Sequence, residues 1–299
     1  MKRALIGAAA LALVAGCAMP PAVVRHPSAN QDGRVRFLVL HFTDEDFQRS
    51  LDILTRPSSY PVSAHYLVSR AGEYARKPAV LQLVDESARA WHAGPSRWQG
   101  RENLNDTSVG VEIVYESGCP RDADSNPRDP WAVDKLCAYP EFPRDQIDVV
   151  IELARGILQR HRDIDPTRVI GHSDVQPEIK TDPGPRFPWQ RLAAAGIGAW
   201  PDAADVERFS AAIAAQPPSL AIVQDALRAY GYGVTPTGEA DQRTHEVLAA
   251  FHSHFVQDVR SSEPDTRAVA TLFALLSKCR AKEWQKLRER HPELASLPD

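Results

Sequence analysis

Apolar positions recur along this chain with two different periods. Residues 35–41 (VRFLVLH) form an apolar run ending in histidine, the pattern of a buried central strand. Helical spacing follows from Asp44 to about Leu54, with Thr43 as the expected N-cap. Residues 65–70 and 74–76 predict a hairpin turning at Gly72. Over 107–115 the alternation puts Val109, Val111, Ile113 and Tyr115 on one strand face, with Gly110, Glu112 and Val114 on the other. Ile147, Val150, Ile151, Ala154, Ile157 and Leu158 make one stripe of a helix over 144–161. A second short strand, Arg168 to His172, again ends in histidine. Strands mixed with helices predict a single α/β domain over 34–197.

Around 198–218 the composition shifts to Ala, Pro and Asp, which predicts a linker. Beyond it, 219–230, 241–254 and 265–278 each show helical periodicity, and a glycine-rich loop, 230–238, joins the first two. Three short helices bury only a small core, so 219–299 reads as an all-α accessory module.

The first sixteen residues read differently. Met1-Lys2-Arg3 precedes an apolar run from Ala4 to Ala15, and no acidic residue occurs before Asp32. This is the layout of a secretory signal, too short to span a bilayer permanently. Leu13-Val14-Ala15-Gly16-Cys17 resembles the bacterial lipobox, which implies cleavage before Cys17 and its lipidation; an ordinary signal with an incidental cysteine is the alternative. Acyl chains contribute about 0.8 kcal/mol per buried CH₂, so two or three make a firm anchor. By resemblance to Gram-negative lipoproteins, Ala18 points to the periplasmic face of the outer membrane. Residues 17–33, Pro-rich and polar, then read as a tether.

That compartment is oxidising. Cys119 and Cys137 bracket a Pro- and Asp-rich insertion and are a candidate disulfide, two unpaired thiols being the alternative. Cys279, in a helical stretch, reads as a small buried hydrophobe. Four cysteines in 299 residues are too few for a disulfide scaffold. The 43% hydrophobic and 25% charged content excludes a disordered chain. A net charge of −4 argues against nucleic acid as a partner.

The candidate chemistry sits at the strand ends. His41 closes one strand, His172 closes another, and Asp182 follows ten residues later in a proline-rich loop. Two histidines and a carboxylate with one open position are a catalytic zinc set. From spacing alone, hydrogen-bonded structural histidines stay open as the alternative.

Four blocks narrow the choice. Gly171-His172-Ser173-Asp174-Val175 with Lys180-Thr181-Asp182-Pro183-Gly184-Pro185 and Phe187-Pro188-Trp189 resembles the signature of zinc-dependent N-acetylmuramoyl-L-alanine amidases. So do Ser63 to Val68, Ala90-Trp91-His92-Ala93-Gly94, and Asn105 to Glu112, all in the expected order. This is the amidase-2 family, which shares its fold with peptidoglycan recognition proteins, and the chain looks most like its lipoprotein members. The resemblance implies a central mixed β-sheet flanked by helices. It also implies one zinc ion per chain held by His41, His172 and Asp182, Glu112 as catalytic acid/base, and Lys180 supporting the transition state.

A solvated edge residue remains the alternative for Glu112, and a surface lysine for Lys180. Trp91 and His92 are expected to shape the substrate cleft, and His65 to pack or to support from behind. His252 and His254, two apart on a helix, face different ways and are no metal pair. The C-terminal module resembles the three-helix peptidoglycan-binding domain through Ile222 to Leu227, Tyr230-Gly231-Tyr232 and Thr237 to Phe251, without that domain's usual Asp-Gly before the second helix; a packing domain that only buttresses the enzyme is the alternative. The expected activity is hydrolysis of the amide between N-acetylmuramic acid and L-alanine in peptidoglycan or muropeptides. A non-catalytic muropeptide-binding lipoprotein is the alternative, although no ligand of the set is missing.

Overall fold

The computed structural model describes residues 23–119, 131 and 134–298. The expected signal, 1–16, and the first residues of the tether, 17–22, lie outside them. Residues 23–32 form a unit of their own, exposed and without helix or strand, and 33–299 form the other. No helix among the described residues is long and apolar enough to cross a membrane.

The first apolar run becomes β1 (Phe37–Phe42). It lies between β6 (Ser108–Ile113) and β7 (Val169–Gly171), parallel to both. β2 (Tyr66–Val68) extends the sheet from β6 in parallel, and β3 (Val80–Gln82) closes it antiparallel, in the order β3-β2-β6-β1-β7. The sheet is therefore mixed. A two-strand ribbon, β4 (Arg97–Trp98) and β5 (Arg101–Glu102), stands apart from it.

Two local expectations shift. The chain does turn at Gly72, which has a left-handed φ of 86°, but the returning strand is Val80–Gln82 rather than 74–76. The Gly72 N–H bonds the Ala75 carbonyl, so those residues are consumed by the turn itself. α1 (Phe47–Thr55) is capped by Asp46, which accepts from the Arg49 N–H at 2.9 Å, and not by Thr43. Asp44 at φ 52° redirects the chain before a helix can begin.

Alternation along β1 divides the core. Leu38 and Leu40, with Val109, Val111 and Ile113 of β6, pack under α2 (Arg144–Arg160) through Ile147, Val150, Ile151, Ala154 and Ile157. Trp189 and Leu192 of α4 (Trp189–Ala194) join the same cluster. A parallel strand needs cover on both faces. Phe37 and Val39 point the other way, and their cover comes from the C-terminal third of the chain. There, α5 (Ala203–Ala215), α6 (Leu220–Tyr230), α7 (Gln242–Phe255), α8 (Thr266–Cys279) and α9 (Ala281–Arg290) share one core with Phe37, Val39, Trp98, Leu104, Ile170 and Val175.

The three expected helices are present, but α5 and α9 join them, and the expected linker at 198–218 is largely helix. Its alanines are strong helix formers. Phe209 of α5, fully buried, lies edge-on to Phe273 at 6.1 Å and Trp284 at 5.7 Å. The helical module is thus part of the same folded body as the sheet. At the junction Gly231 lies against the Trp98 indole, where a Cβ would come within 2.7 Å of the ring. Cys119 and Cys137 are joined in a disulfide, and Cys279 is free and half-buried against the helical core.

Glu86 ties the far end of the sheet to α2. Its carboxylate accepts from the Tyr66 hydroxyl at 2.8 Å and from Arg160, and lies 2.7 Å from His161 Nε2. Partial burial opposes ionisation, but the hydrogen bonds from Arg160, His161 and Tyr66 hold this carboxyl down at about 2. Its stabilisation is present above the ordinary glutamate range and lost as pH falls through about 2. Glu86→Gln is expected to lower Tm at pH 7, and the difference from the unsubstituted protein should shrink steadily below about pH 4.5 in thermal melts.

Candidate metal and catalytic site

His41 and Glu112 are register partners on the adjacent strands β1 and β6. Alternation places His41 on the face that also carries Phe37 and Val39, but at the opposite end of the strand. The helices bury the first part of that face, and the site occupies the last. His172 is the first residue of a short helix, α3 (His172–Val175), directly after β7. Asp182 returns to it across a loop whose backbone is pinned by the Ser173 N–H donating to the Asp182 carbonyl at 2.9 Å.

These three side chains are buried and converge. His41 Nδ1 is 3.0 Å from His172 Nδ1 and 3.0 Å from Asp182 Oδ2, and His172 Nδ1 is 3.3 Å from the same oxygen. Among the described residues this is the one cluster able to hold a metal ion. Four ligands at zinc distances of 2.0–2.1 Å in tetrahedral array stand about 3.3 Å apart, so the spacing fits that ion. Burial, then the neighbouring His172, pushes the His41 imidazole down to about 4, against the pull of Asp182. For Asp182, burial works upward, but charge and hydrogen bonding from His172 and His41 hold the carboxyl well below its ordinary value. A neutral His41 imidazole and an ionised Asp182 carboxylate are the protonation states a metal requires of those two groups.

Behind His41 runs a relay with one consistent direction. His41 Nε2 lies 3.0 Å from His92 Nδ1, and His92 Nε2 lies 3.0 Å from Ser108 Oγ, which donates to the Leu104 carbonyl at 2.7 Å. With the Ser108 hydroxyl spent on Leu104, His92 Nε2–H donates to Ser108 and His92 Nδ1 accepts from His41 Nε2–H. That tautomer leaves the His41 Nδ1 lone pair facing the cluster. Asn105 Oδ1 fixes the His92 backbone by accepting from the N–H groups of His92 and Ala93, at 3.0 and 2.8 Å.

His92 was expected in the substrate cleft. It edges the cavity, but both its nitrogens are already committed, so it orients a ligand instead of meeting substrate. His65 supports from the next layer, accepting at Nδ1 from the Gly110 N–H at 3.0 Å.

The His92 ring lies flat on β6 at Gly110, where a Cβ would stand 2.4 Å from it. Gly110→Ala should therefore displace His92 and release His41. Affinity for a metal ion held by the cluster of His41, His172 and Asp182 is expected to fall about 10–100-fold, as for other losses behind a ligand, and competition against a chromophoric chelator would measure it.

Glu112, Lys180, His172 and Asp182 line a cavity of about 210 Å³ together with Thr43, Ser63 and Trp91. Burial, then the charge of Asp182, raises the Glu112 carboxyl well above the usual range, and Lys180 works in the opposite direction. Glu112 Oε2 is buried without a hydrogen-bond partner, so the expected alternative of a solvated edge residue does not hold. Trp91 stands 45% exposed at the rim, held by mutual hydrogen bonds between its backbone and Ser63. A larger hollow of about 1100 Å³, lined by α5 and α8, gathers no comparable ligand set.

The structure brings together His41, His172, Asp182, Glu112 and Lys180. Sequence reasoning assigned no role to Ser108, Asn105 or Asp174. Ser108 and Asn105 fall inside one of the recognised blocks, which was the available signal. His252 and His254 are indeed not a pair: one meets the Glu263 carbonyl and the other Asp174.

The sequence profile described as N-acetylmuramoyl-L-alanine amidase matches residues 31–185. The chain is similar to the N-acetylmuramoyl-L-alanine amidase AmiD of Escherichia coli, 38% identical over 93% of this chain and 99% of that protein. Its fold is similar to crystal structures of AmpDh3 from Pseudomonas aeruginosa in complex with anhydromuramic pentapeptide (TM-score 0.76, 37% identity, 85% of this chain and 96% of that one). It is also similar to E. coli AmiD in complex with anhydro-N-acetylmuramic acid-L-Ala-D-gamma-Glu-L-Lys (TM-score 0.71, 37% identity, 85% of this chain and 93% of that one).

Proposed function

The chain belongs to the N-acetylmuramoyl-L-alanine amidase family, and from that premise we propose that it hydrolyses the amide between N-acetylmuramic acid and L-alanine with one zinc ion held by His41, His172 and Asp182. The observation that carries this reading is the convergence of those three donors at a cavity also lined by Glu112, whose Oε2 is buried without a hydrogen-bond partner. Zinc held there supplies Lewis acidity, polarising the carbonyl and lowering the pKa of water to about 7.

The side chains do the rest. Glu112, lining the cavity, takes the proton of the attacking water on its carboxylate and hands it to the departing alanine nitrogen. Its burial makes it hold a proton well, and the nearby Lys180 charge keeps the ionised form accessible. The Lys180 ammonium, lining the same cavity, stabilises the negative charge that grows on the carbonyl oxygen. Trp91 offers an exposed indole at the rim for the apolar face of sugar or peptide.

The test is a digest of purified muropeptides, in muramyl and anhydromuramyl forms, followed by mass spectrometry. Free stem peptide should appear, vanish on chelation and return with zinc. If neither sugar form yields any, the assignment is wrong. Binding without turnover has no observation in its favour, since no ligand or proton-transfer group is missing from the site.

The reading extends to place. The lipobox-like Leu13 to Cys17 supports cleavage before Cys17, acylation of that residue and anchoring on the periplasmic face of the outer membrane, with peptidoglycan within reach of the tether. Cys17→Ser should move the protein from the membrane fraction to the soluble periplasm. Retention in the membrane would exclude the anchor.

A further inference from the structure

The loop from His172 to Phe187 carries three of the five site residues on one side. On its other side it is gripped by the C-terminal helices. Asp174, two residues after His172, is 1% exposed, and its carboxyl oxygens receive three groups. Oδ2 accepts from the Gly171 N–H at 2.7 Å and lies 2.7 Å from His254 Nδ1. Oδ1 accepts from the Tyr232 hydroxyl at 2.6 Å. Tyr232 stands in the glycine loop before α7, and His254 in the last turn of α7.

The same module holds the rest of the loop. Arg243 of α7 pairs with Glu178, and the Gln257 amide donates to the carbonyls of Pro185 and Phe187 at 2.9 and 2.7 Å. His254 also stacks on Trp189 with ring centroids 3.8 Å apart.

We propose that Tyr232 and His254 are positioning residues for the metal ligands, acting through Asp174. This rests on the zinc reading above. The Asp174 carboxyl is bonded to the N–H of Gly171, which precedes His172, and the Ser173 N–H, beside Asp174, is bonded to the carbonyl of Asp182, so the segment that Asp174 anchors is tied to both ligands of this loop. A buried carboxyl that loses one donor must turn to find another. Turning it pulls on Gly171 and, through the adjoining backbone, on His172. The helical module is thus a brace for the metal site, whatever its own affinity for glycan.

Zinc affinity of the full-length protein, measured against a chromophoric chelator, tests this. Tyr232→Phe removes only a hydroxyl, and Tyr230→Phe removes another from the same core as a control. Tyr232→Phe and His254→Leu should each weaken zinc binding about tenfold or more, the scale of losses behind a ligand. Tyr230→Phe should stay within about twofold, and His254→Asn, which keeps a donor near the Nδ1 position, should recover most of the affinity. In the metal-free protein, amide hydrogen exchange over 171–183 should quicken in Tyr232→Phe. Unchanged zinc affinity in both Tyr232→Phe and His254→Leu, or an equal loss in Tyr230→Phe, would overturn the brace. A parent protein that takes up no zinc at all would instead refute the functional reading, and the brace with it.

Discussion

Asp182→Ala should strip the protein of zinc and of activity together. Its Oδ2 is the one atom that faces both imidazole nitrogens, at 3.0 and 3.3 Å, and it is the only anionic group of the three. Two imidazoles alone leave two protein ligands where catalytic zinc sites keep three. The loss in affinity is expected to exceed about 100-fold, the upper end for residues one layer farther out. Metal analysis after gel filtration should find about one zinc per chain in the parent and almost none in the variant. The fold should persist, because the Asp182 backbone carbonyl still accepts from Ser173. Full zinc occupancy in the variant would mean that the ligand set is wrong.

Glu112→Gln should separate what Asp182→Ala joins. The substitution keeps the shape of a buried side chain that contributes no donor to the metal cluster, so zinc content should be unchanged. It removes the group that can accept and return a proton at the cavity, and general acid–base catalysis contributes about 10²- to 10⁴-fold. kcat should fall by that factor with KM little altered, since an interaction needed only on the way to the transition state has been lost. A variant that keeps more than about a tenth of the parent rate would place the proton transfer elsewhere.

The two substitutions differ in how visible their residues were in the chain. Both histidines are visible as polar ends of apolar runs, although by spacing alone such an imidazole reads equally as a hydrogen-bonded structural residue. Glu112 is visible as the charged position on the second face of an alternating strand, but alternation alone leaves open whether that face meets water or a cavity. The register of β1 against β6 decides it by setting Glu112 beside His41. A register is a pairing of strands about seventy residues apart, and no local pattern encodes it.

The relay behind the metal was hidden for the same reason. His92 and Ser108 sit inside recognised blocks, yet only the packing of the imidazole on Gly110 turns His92 from a wall of the cleft into the partner of His41. The linker reading failed more simply. Ala- and Pro-rich composition marks both loops and the exposed faces of helices, and Phe209 and Ile213 became interpretable only once they were seen buried under α8 and α9.

By itself, then, the sequence determined the elements that carry a period, the order of the blocks and the residue types of the site. A strand's alternation, a helix's stripe and a cluster of ligand types are local properties, set by neighbours a few positions away. What only the tertiary structure decided is which of those residues face one another. It joined His41 to Glu112 through register and His92 to His41 through a missing Cβ. It also joined the helical module to the metal loop through Asp174, a carboxyl whose three partners come from residues 171, 232 and 254. Burial makes such contacts matter, because a polar group removed from water must find its donors wherever the fold brings them.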